Sequence, residues 1–202
     1  MFMKKSFLTL TVVLAALTTK AQEVGQMWIG GSFGISASEV KDGDSQVSYR
    51  ILPEFGYVIS DNIGIGISGG FAHTEGAGIV LDNSRSTIEG SEQEGFVVNP
   101  FVRYSFLKGD LGALFLDGGV GYTHAKDRKN DDKATLLEVG ARPGVAFNVS
   151  DKISLTAKFG FIGYQHLKDE TVINNQKQTV KTSVIGIDLD MRQILVGMAL
   201  KF

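Results

Sequence analysis

Seven charged residues stand inside strongly alternating polar and apolar segments, at the polar positions: Arg50, Glu54, Arg103, Asp117, Glu138, Arg142 and Lys158. Two kinds of chemistry suit such a set. One is a proton or ion path through a narrow pore. The other is a paired network that plugs an interior, because charges in a dry space must be compensated. His73, His124 and His166 lie near the ends of three segments, which invites a metal or acid–base reading. Their phases argue against it: His73 and His124 fall on the apolar phase and His166 on the polar one, and no two ligands stand at short spacing. A hydrolytic triad fails as well, since no Ser shares the phase of His73 and Glu75. Gly64-Ile65-Gly66 and Gly118-Gly119-Val120-Gly121 lie within strand-like runs with no helix after them, so they are not phosphate loops. Without Cys there is no thiolate zinc site, disulfide or Cys nucleophile. The expectation is a protein with no metal, no cofactor and no catalytic residues. A net charge of -2 over 202 residues also leaves no basic field for nucleic acid.

The elements that must position these charges repeat with a period of two from Gln26 onward. Eight segments are expected as strands: 26–37, 47–59, 63–74, 95–106, 113–124, 135–149, 153–166 and 184–202. Short turns at Ser60-Asp61-Asn62, Leu107-Lys108-Gly109-Asp110 and Ser150-Asp151-Lys152 alternate with long polar loops near 38–46, 75–94, 125–134 and 167–183. An up-and-down barrel crossing an outer membrane has this layout. Centring a hairpin on Asp110 sets Arg103 opposite Asp117, and centring one on Asp61 sets Glu54 opposite Ser68. The charges then fall in roughly one layer.

All three prolines recur at equivalent places, Pro53, Pro100 and Pro143, each followed four residues later by an aromatic: Tyr57, Tyr104 and Phe147. Proline removes a ladder donor and a closed barrel has no edge to hide it, so a bulge or unpaired position is expected, near the short-turn rim. The last segment fits the same frame with Met198, Leu200 and Phe202. Its phase changes between Ile185, Ile187, Leu189 and Met191 on the odd positions and Ile194 to Phe202 on the even ones, which calls for a bulge near Arg192-Gln193 or a strand rising above the membrane.

Which face meets lipid follows from volume. One phase carries Tyr49, Ile51, Phe55, Val102, Tyr104 and their counterparts; the other carries the charges and many of the 25 Gly. Eight strands enclose too little room for the bulky phase, so that phase faces lipid and the small, charged phase fills the lumen. The mean hydropathy of +0.07 reflects this cancellation between faces. Aromatics cluster at both ends of the outer phase, with Tyr57, Tyr104, Phe106, Phe147 and Phe202 towards the turns. Tyr49, Phe71, Phe96, Tyr122 and Phe161 stand towards the loops.

Residues 1–21 have the layout of a secretory signal peptide: Lys4 and Lys5, an apolar stretch from Phe7 to Leu17, then Thr19-Lys20-Ala21. Cleavage is expected between Ala21 and Gln22, leaving residues 22–202 as one barrel domain.

The signal-like start, the recurring proline with an aromatic four residues on, the turn Ile59-Ser60-Asp61-Asn62-Ile63-Gly64 and the end Ile194-Leu195-Val196-Gly197-Met198-Ala199-Leu200-Lys201-Phe202 together resemble the outer membrane β-barrel domain family of small eight-stranded OmpA-, OmpX- and opacity-type proteins. The leader and the Ser-Asp-Asn turn are most similar to Bacteroidetes members described as PorT-like or porin-family. The resemblance implies location in a Gram-negative outer membrane, contact with outer-membrane lipid and lipopolysaccharide, and a monomer. It also implies an assembly signal at Val196, Met198, Leu200 and Phe202, read by the barrel-assembly machinery. The function expected is a non-enzymatic structural or surface-binding role through the external loops, in adhesion or the envelope, with a plugged lumen. A narrow porin and a lipid-modifying enzyme of the outer membrane are the alternatives.

Overall fold

The computed structural model describes residues 24–38, 46–75, 92–128, 132–173, 176–188 and 194–202; the expected leader with its cleavage site at Ala21 and Gln22 lies outside them. Ten strand segments form one antiparallel sheet: β1 (Met27–Ser38), β2 (Gln46–Ser60), β3 (Ile63–Glu75), β4 (Glu92–Gly109), β5 (Gly112–Asp127), β6 (Lys133–Asn148), β7 (Ile153–Lys158), β8 (Phe161–Ile173), β9 (Gln176–Asp188) and β10 (Leu195–Lys201). Sequential pairing runs from β1 to β7, β7 pairs with β10, and β10 returns to β1. The ring is closed with eight staves. β7 and β8 are two halves of the seventh stave, and β9 and β10 of the eighth, since β6 pairs with both β7 and β8 while β8 pairs with β9.

Short turns fix the register, so the turn-centred arithmetic holds along the wall: Arg103 lies opposite Asp117 and Glu54 opposite Ser68. One-residue shifts are confined to the turn ends, between Val58 and Ser60 and between Ser105 and Leu107. Each proline pairs on one side, with Gly31, Ile67 or Leu116. On the other side the ladder is interrupted: β2–β3 passes from Ile51↔Phe71 to Glu54↔Ser68, and β4–β5 from Val98↔Tyr122 to Phe101↔Gly119. At Pro143, β6 hands over from β7 to β8, between Gly144↔Lys158 and Ala141↔Ile162. The missing donors are therefore accommodated in mid-wall and not at the rim, where a lipid-facing ring fills the space.

The third interruption does more than skip a pair. Phe159 donates its N–H to the Pro143 carbonyl at 3.1 Å, and Gly160 takes φ 66°, a left-handed conformation that favours glycine. This step reverses the phase of the seventh stave. Leu155 faces outward on β7, but beyond the step Ile162 and Tyr164 face outward while Phe161, Gln165 and Leu167 are buried. Two expectations are thereby corrected: Phe161, 5% exposed, belongs to the interior and not to an outer girdle, and His166 shares the outward phase of Tyr164. In the eighth stave β9 ends at Asp188 and β10 begins at Leu195; the expected bulge near Arg192-Gln193 lies outside the described residues, and Ile185 and Ile187 face outward like Val196, Met198 and Leu200. A Gly160→Ala variant is expected to lose about 1 kcal/mol through the left-handed φ alone, visible as a lower urea midpoint of the micelle-embedded barrel.

Two expected loops are also corrected. Strand β5 runs on to Asp127 and β6 starts at Lys133, and within 167–183 residues 167–173 of β8 pair with 176–182 of β9. Here the outward positions turn polar while Ala125, Ala134, Leu136 and Leu167 stay buried inside, so the ladder continues without an apolar outer phase to announce it. The remaining long loops, 38–46 and 75–94, fall mostly outside the described residues.

The outer wall is apolar over its whole circumference, with Ile29, Phe55, Ile67, Val102, Val139 and Leu155 among its exposed residues. Closure satisfies the backbone, which is the requirement for crossing a bilayer with strands. Inside, Trp28, Phe101, Phe115 and Phe161 are packed against glycines of neighbouring staves. A Cβ on Gly56 would stand 1.9 Å from the Trp28 ring and one on Gly64 2.8 Å from it, so glycine at these positions makes room for the ring.

Candidate functional site

The lumen charges meet at the level of the mid-wall prolines. Arg103 donates to Asp117 through both Nε (2.7 Å) and Nη2 (2.8 Å), and through Nη2 to Glu54 Oε1 at 3.0 Å. Lys158 Nζ reaches Glu54 Oε2 at 2.5 Å and Asp117 Oδ2 at 2.9 Å. Two cations thus share two carboxylates, with each carboxylate bound by both cations. All four side chains are less than a tenth exposed. The bidentate Arg–Asp fork fixes the guanidinium plane across the lumen.

The interior aromatics complete the cluster. Trp28 Nε1 donates to Glu54 Oε1 at 2.9 Å. The Arg103 guanidinium lies 4.2 Å from the centre of the Phe115 ring, 5.1 Å from Trp28 and 5.2 Å from Phe101. Lys158 Nζ lies 5.0 Å from the Phe101 ring. Ring faces thus add cation–π attraction and exclude water from the ion pairs.

A second group sits higher. Arg142 Nη2 donates to Glu138 Oε1 at 2.9 Å, Gln165 Nε2 donates to the same oxygen at 2.8 Å, and Arg142 stacks on Phe161 at 4.9 Å. Arg50 lines the same small cavity as Glu138 and Arg142. The four charges placed by the turn arithmetic, Arg103, Asp117, Glu54 and Lys158, thus meet in one layer, and Glu138 extends the set upward, four residues along β6 from Arg142, which stands opposite Asp117. Sequence reasoning missed Trp28 and Gln165. Trp28 could have been found as the sole Trp, in phase with Gly30 and Ser32 and not with the apolar face. Gln165 was hidden by the phase step at Gly160.

The cluster divides the lumen. Towards the short turns opens a cavity of about 640 Å³, walled by Arg103, Phe115, Ser154 and Lys201 among others. On the loop side the space is about 40 Å³, room for roughly three water molecules. The histidines do not converge. His73 stacks on Tyr49 with ring centres 4.9 Å apart, His124 approaches Phe96 at 5.8 Å, and His166 stacks on Tyr164 at 6.5 Å, each on the outer wall. Among the described residues no group of His, Asp and Glu is arranged to hold a metal. Val196, Met198 and Leu200 of β10 and the terminal Phe202 form an exposed outer stripe, and Phe202 exchanges backbone hydrogen bonds with Met27.

A closed ring of eight antiparallel strands, apolar outside and charged within, defines a small transmembrane β-barrel. The chain belongs to the outer membrane protein beta-barrel domain family, whose model matches residues 6–202. No curated protein matches it. Among solved structures it is similar to the outer membrane protein OprG from Pseudomonas aeruginosa, with TM-score 0.56 and 14% identity over 92% of this chain and 99% of that one. It is also similar to the Neisserial surface protein A, with TM-score 0.51 and 14% identity over 91% of this chain and all of that one. At this identity the likeness is one of fold. The family and these neighbours indicate the outer membrane as its location.

Proposed function

We propose that this barrel is a non-enzymatic outer-membrane protein with a plugged lumen, serving a structural or surface-binding role through what it presents outside the membrane. The observation that carries the reading is the dry knot of Trp28, Glu54, Arg103, Asp117 and Lys158, which spans the lumen with its charges mutually paired. Ions crossing it would have to break several charge-assisted hydrogen bonds at once in a space lined by aromatic rings. Eight-stranded barrels are filled by side chains, whereas water-filled pores need about twice as many strands. The ends of β5 and β6, with β8 and β9 beside them, stay paired beyond the apolar band, from Lys126↔Lys133 to Lys168↔Lys181, and offer a platform for contact with other surfaces. The outward stripe of Val196, Met198, Leu200 and Phe202 is what the barrel-assembly machinery would read.

Planar-bilayer recording tests the plug. Purified protein is expected to give no stable conductance step in roughly 1 M salt, since buried pairs are screened little. Reproducible steps whose size changes in Asp117→Asn would establish a narrow channel instead. Incubation with lipopolysaccharide followed by mass spectrometry of the lipid A is expected to return it unaltered, and loss or gain of an acyl chain would make the protein an enzyme.

A further inference from the structure

The cross-strand register assigns outward residues of β5, β6, β8 and β9 to four rows that climb from the apolar band towards the hairpin tips. The lowest row is Val120, Val139, Tyr164 and Ile185. Above it come Tyr122, Leu137, His166 and Ser183. The third row is His124, Thr135, Lys168 and Lys181. The fourth is Lys126, Lys133, Glu170 and Thr179. Adjacent strands stand about 4.8 Å apart and same-face neighbours along a strand about 7 Å, so four lysines gather on a patch roughly 15 Å wide.

Glu170 is the only acidic side chain in these rows. Its carboxylate contacts Lys168, and that hydrogen bond, with the fields of Lys168, Lys177 and Lys133, holds it below the usual carboxylate range. The neighbouring β4 face carries the opposite sign, with Glu92 and Glu94, and Arg128 bridges both at 3.2 Å. Arg128 thereby binds both β4 carboxylates, and Lys126, opposite Glu94 in the register, faces outward with Lys133 and Lys181. The vertical sequence of apolar side chains, then Tyr, His, Ser and Thr, then ammonium groups matches the sequence met along an amphiphile from acyl chain through polar linkage to phosphate.

We propose that this patch is a binding site for a phosphorylated lipid of the outer leaflet, with the phosphate on Lys126, Lys133, Lys168 and Lys181 and the acyl chains along the Val120–Ile185 row. The inference rests on the barrel's standing in the outer membrane and is independent of the state of its lumen. Ammonium groups at the edge of a low-dielectric layer attract anionic headgroups with an effect that adds per lysine.

The probe is diphosphorylated lipid A added to the barrel in neutral detergent micelles, with bound lipid counted by native mass spectrometry. The same lipid stripped of both phosphates is the second arm. Replacing the four lysines together (Lys126→Gln, Lys133→Gln, Lys168→Gln, Lys181→Gln) is expected to weaken binding on the order of a hundredfold, with the heat-modifiable gel shift of the folded barrel retained. Lys108→Gln with Lys152→Gln, at the opposite rim, is expected to change binding less than about threefold, the effect of one weak surface contact. Should the fourfold variant not fold, Lys133→Gln with Lys181→Gln is expected to show roughly half the loss on a logarithmic scale. Equal affinity for the dephosphorylated lipid, unchanged binding by the folded lysine variants, or an equal loss in the opposite-rim control overturns the site. Conductance in the bilayer recordings would overturn the plug and leave this site standing.

Discussion

Arg103→Ala is expected to destabilise the barrel by about 3–5 kcal/mol, because it leaves Glu54 and Asp117 with Lys158 as the remaining charge partner in a dry lumen. The loss combines several terms. The fork to Asp117 and the bond to Glu54 disappear, two carboxylates face one cation, and the guanidinium no longer fills the space between Phe115, Trp28 and Phe101. Lysine is not a conservative replacement here, since a point charge cannot reproduce the planar fork. Arg103→Lys should therefore recover less than half of the loss. Reversible urea unfolding in detergent micelles, followed by tryptophan emission, measures both; Trp28, the sole Trp, reports from within the cluster itself. An Arg103→Ala barrel as stable as the parent would show that the knot fills space without stabilising it. Replacing all four charges by apolar residues of similar volume is a separate question, because a buried ion cluster often gives way to hydrophobic packing at little cost.

The second large effect is expected from Gly56→Val. The Trp28 ring occupies the space where a side chain on Gly56 would begin, with a built Cβ only 1.9 Å from Cζ2. The ring cannot retreat: its Nε1 is held by Glu54, its face covers Gly64 as well, and Arg103 lies over it. Overpacking of this kind costs about 3 kcal/mol, and failure to reach the heat-modifiable folded form is the extreme outcome. Trp28→Ala alone opens a cavity and releases a Glu54 acceptor, for a loss of about 4 kcal/mol. The two changes are coupled, so the double variant should be less damaged than the sum of the singles by more than 1 kcal/mol. Strict additivity in that cycle would mean that the ring and the glycine do not compete for one space.

Much of this was legible in the sequence because short turns convert residue numbers into geometry. Asp61 and Asp110 are enough to place Glu54 against Ser68 and Arg103 against Asp117, and a charge pair read from register needs no side-chain information. What escaped was whatever broke the period. Gly160 looks like any other interior glycine, yet its left-handed φ shifts every later side chain of that stave to the opposite face, taking Phe161 inward and His166 outward. The hairpin ends of β5, β6, β8 and β9 escaped for another reason: above the apolar band the outward positions turn polar, so the alternation fades from the sequence while backbone pairing continues. Trp28 escaped because a large ring on the small, charged phase fits only where Gly56 and Gly64 leave its space, and that vacancy shows in the packing and not in the pattern.

The ring closes on a thin joint. β10 meets β1 through seven residue pairs, from Trp28↔Lys201 to Gly34↔Leu195, against fifteen between β5 and β6. Those seven pairs join the first strand to β10, so the wall has no edge only when both are in place. A sheet lacking them has two raw edges, whose unpaired N–H and C=O groups lipid cannot satisfy. Closure of this seam, and not the hydrophobicity of any one strand, is therefore what makes the wall fit for a bilayer.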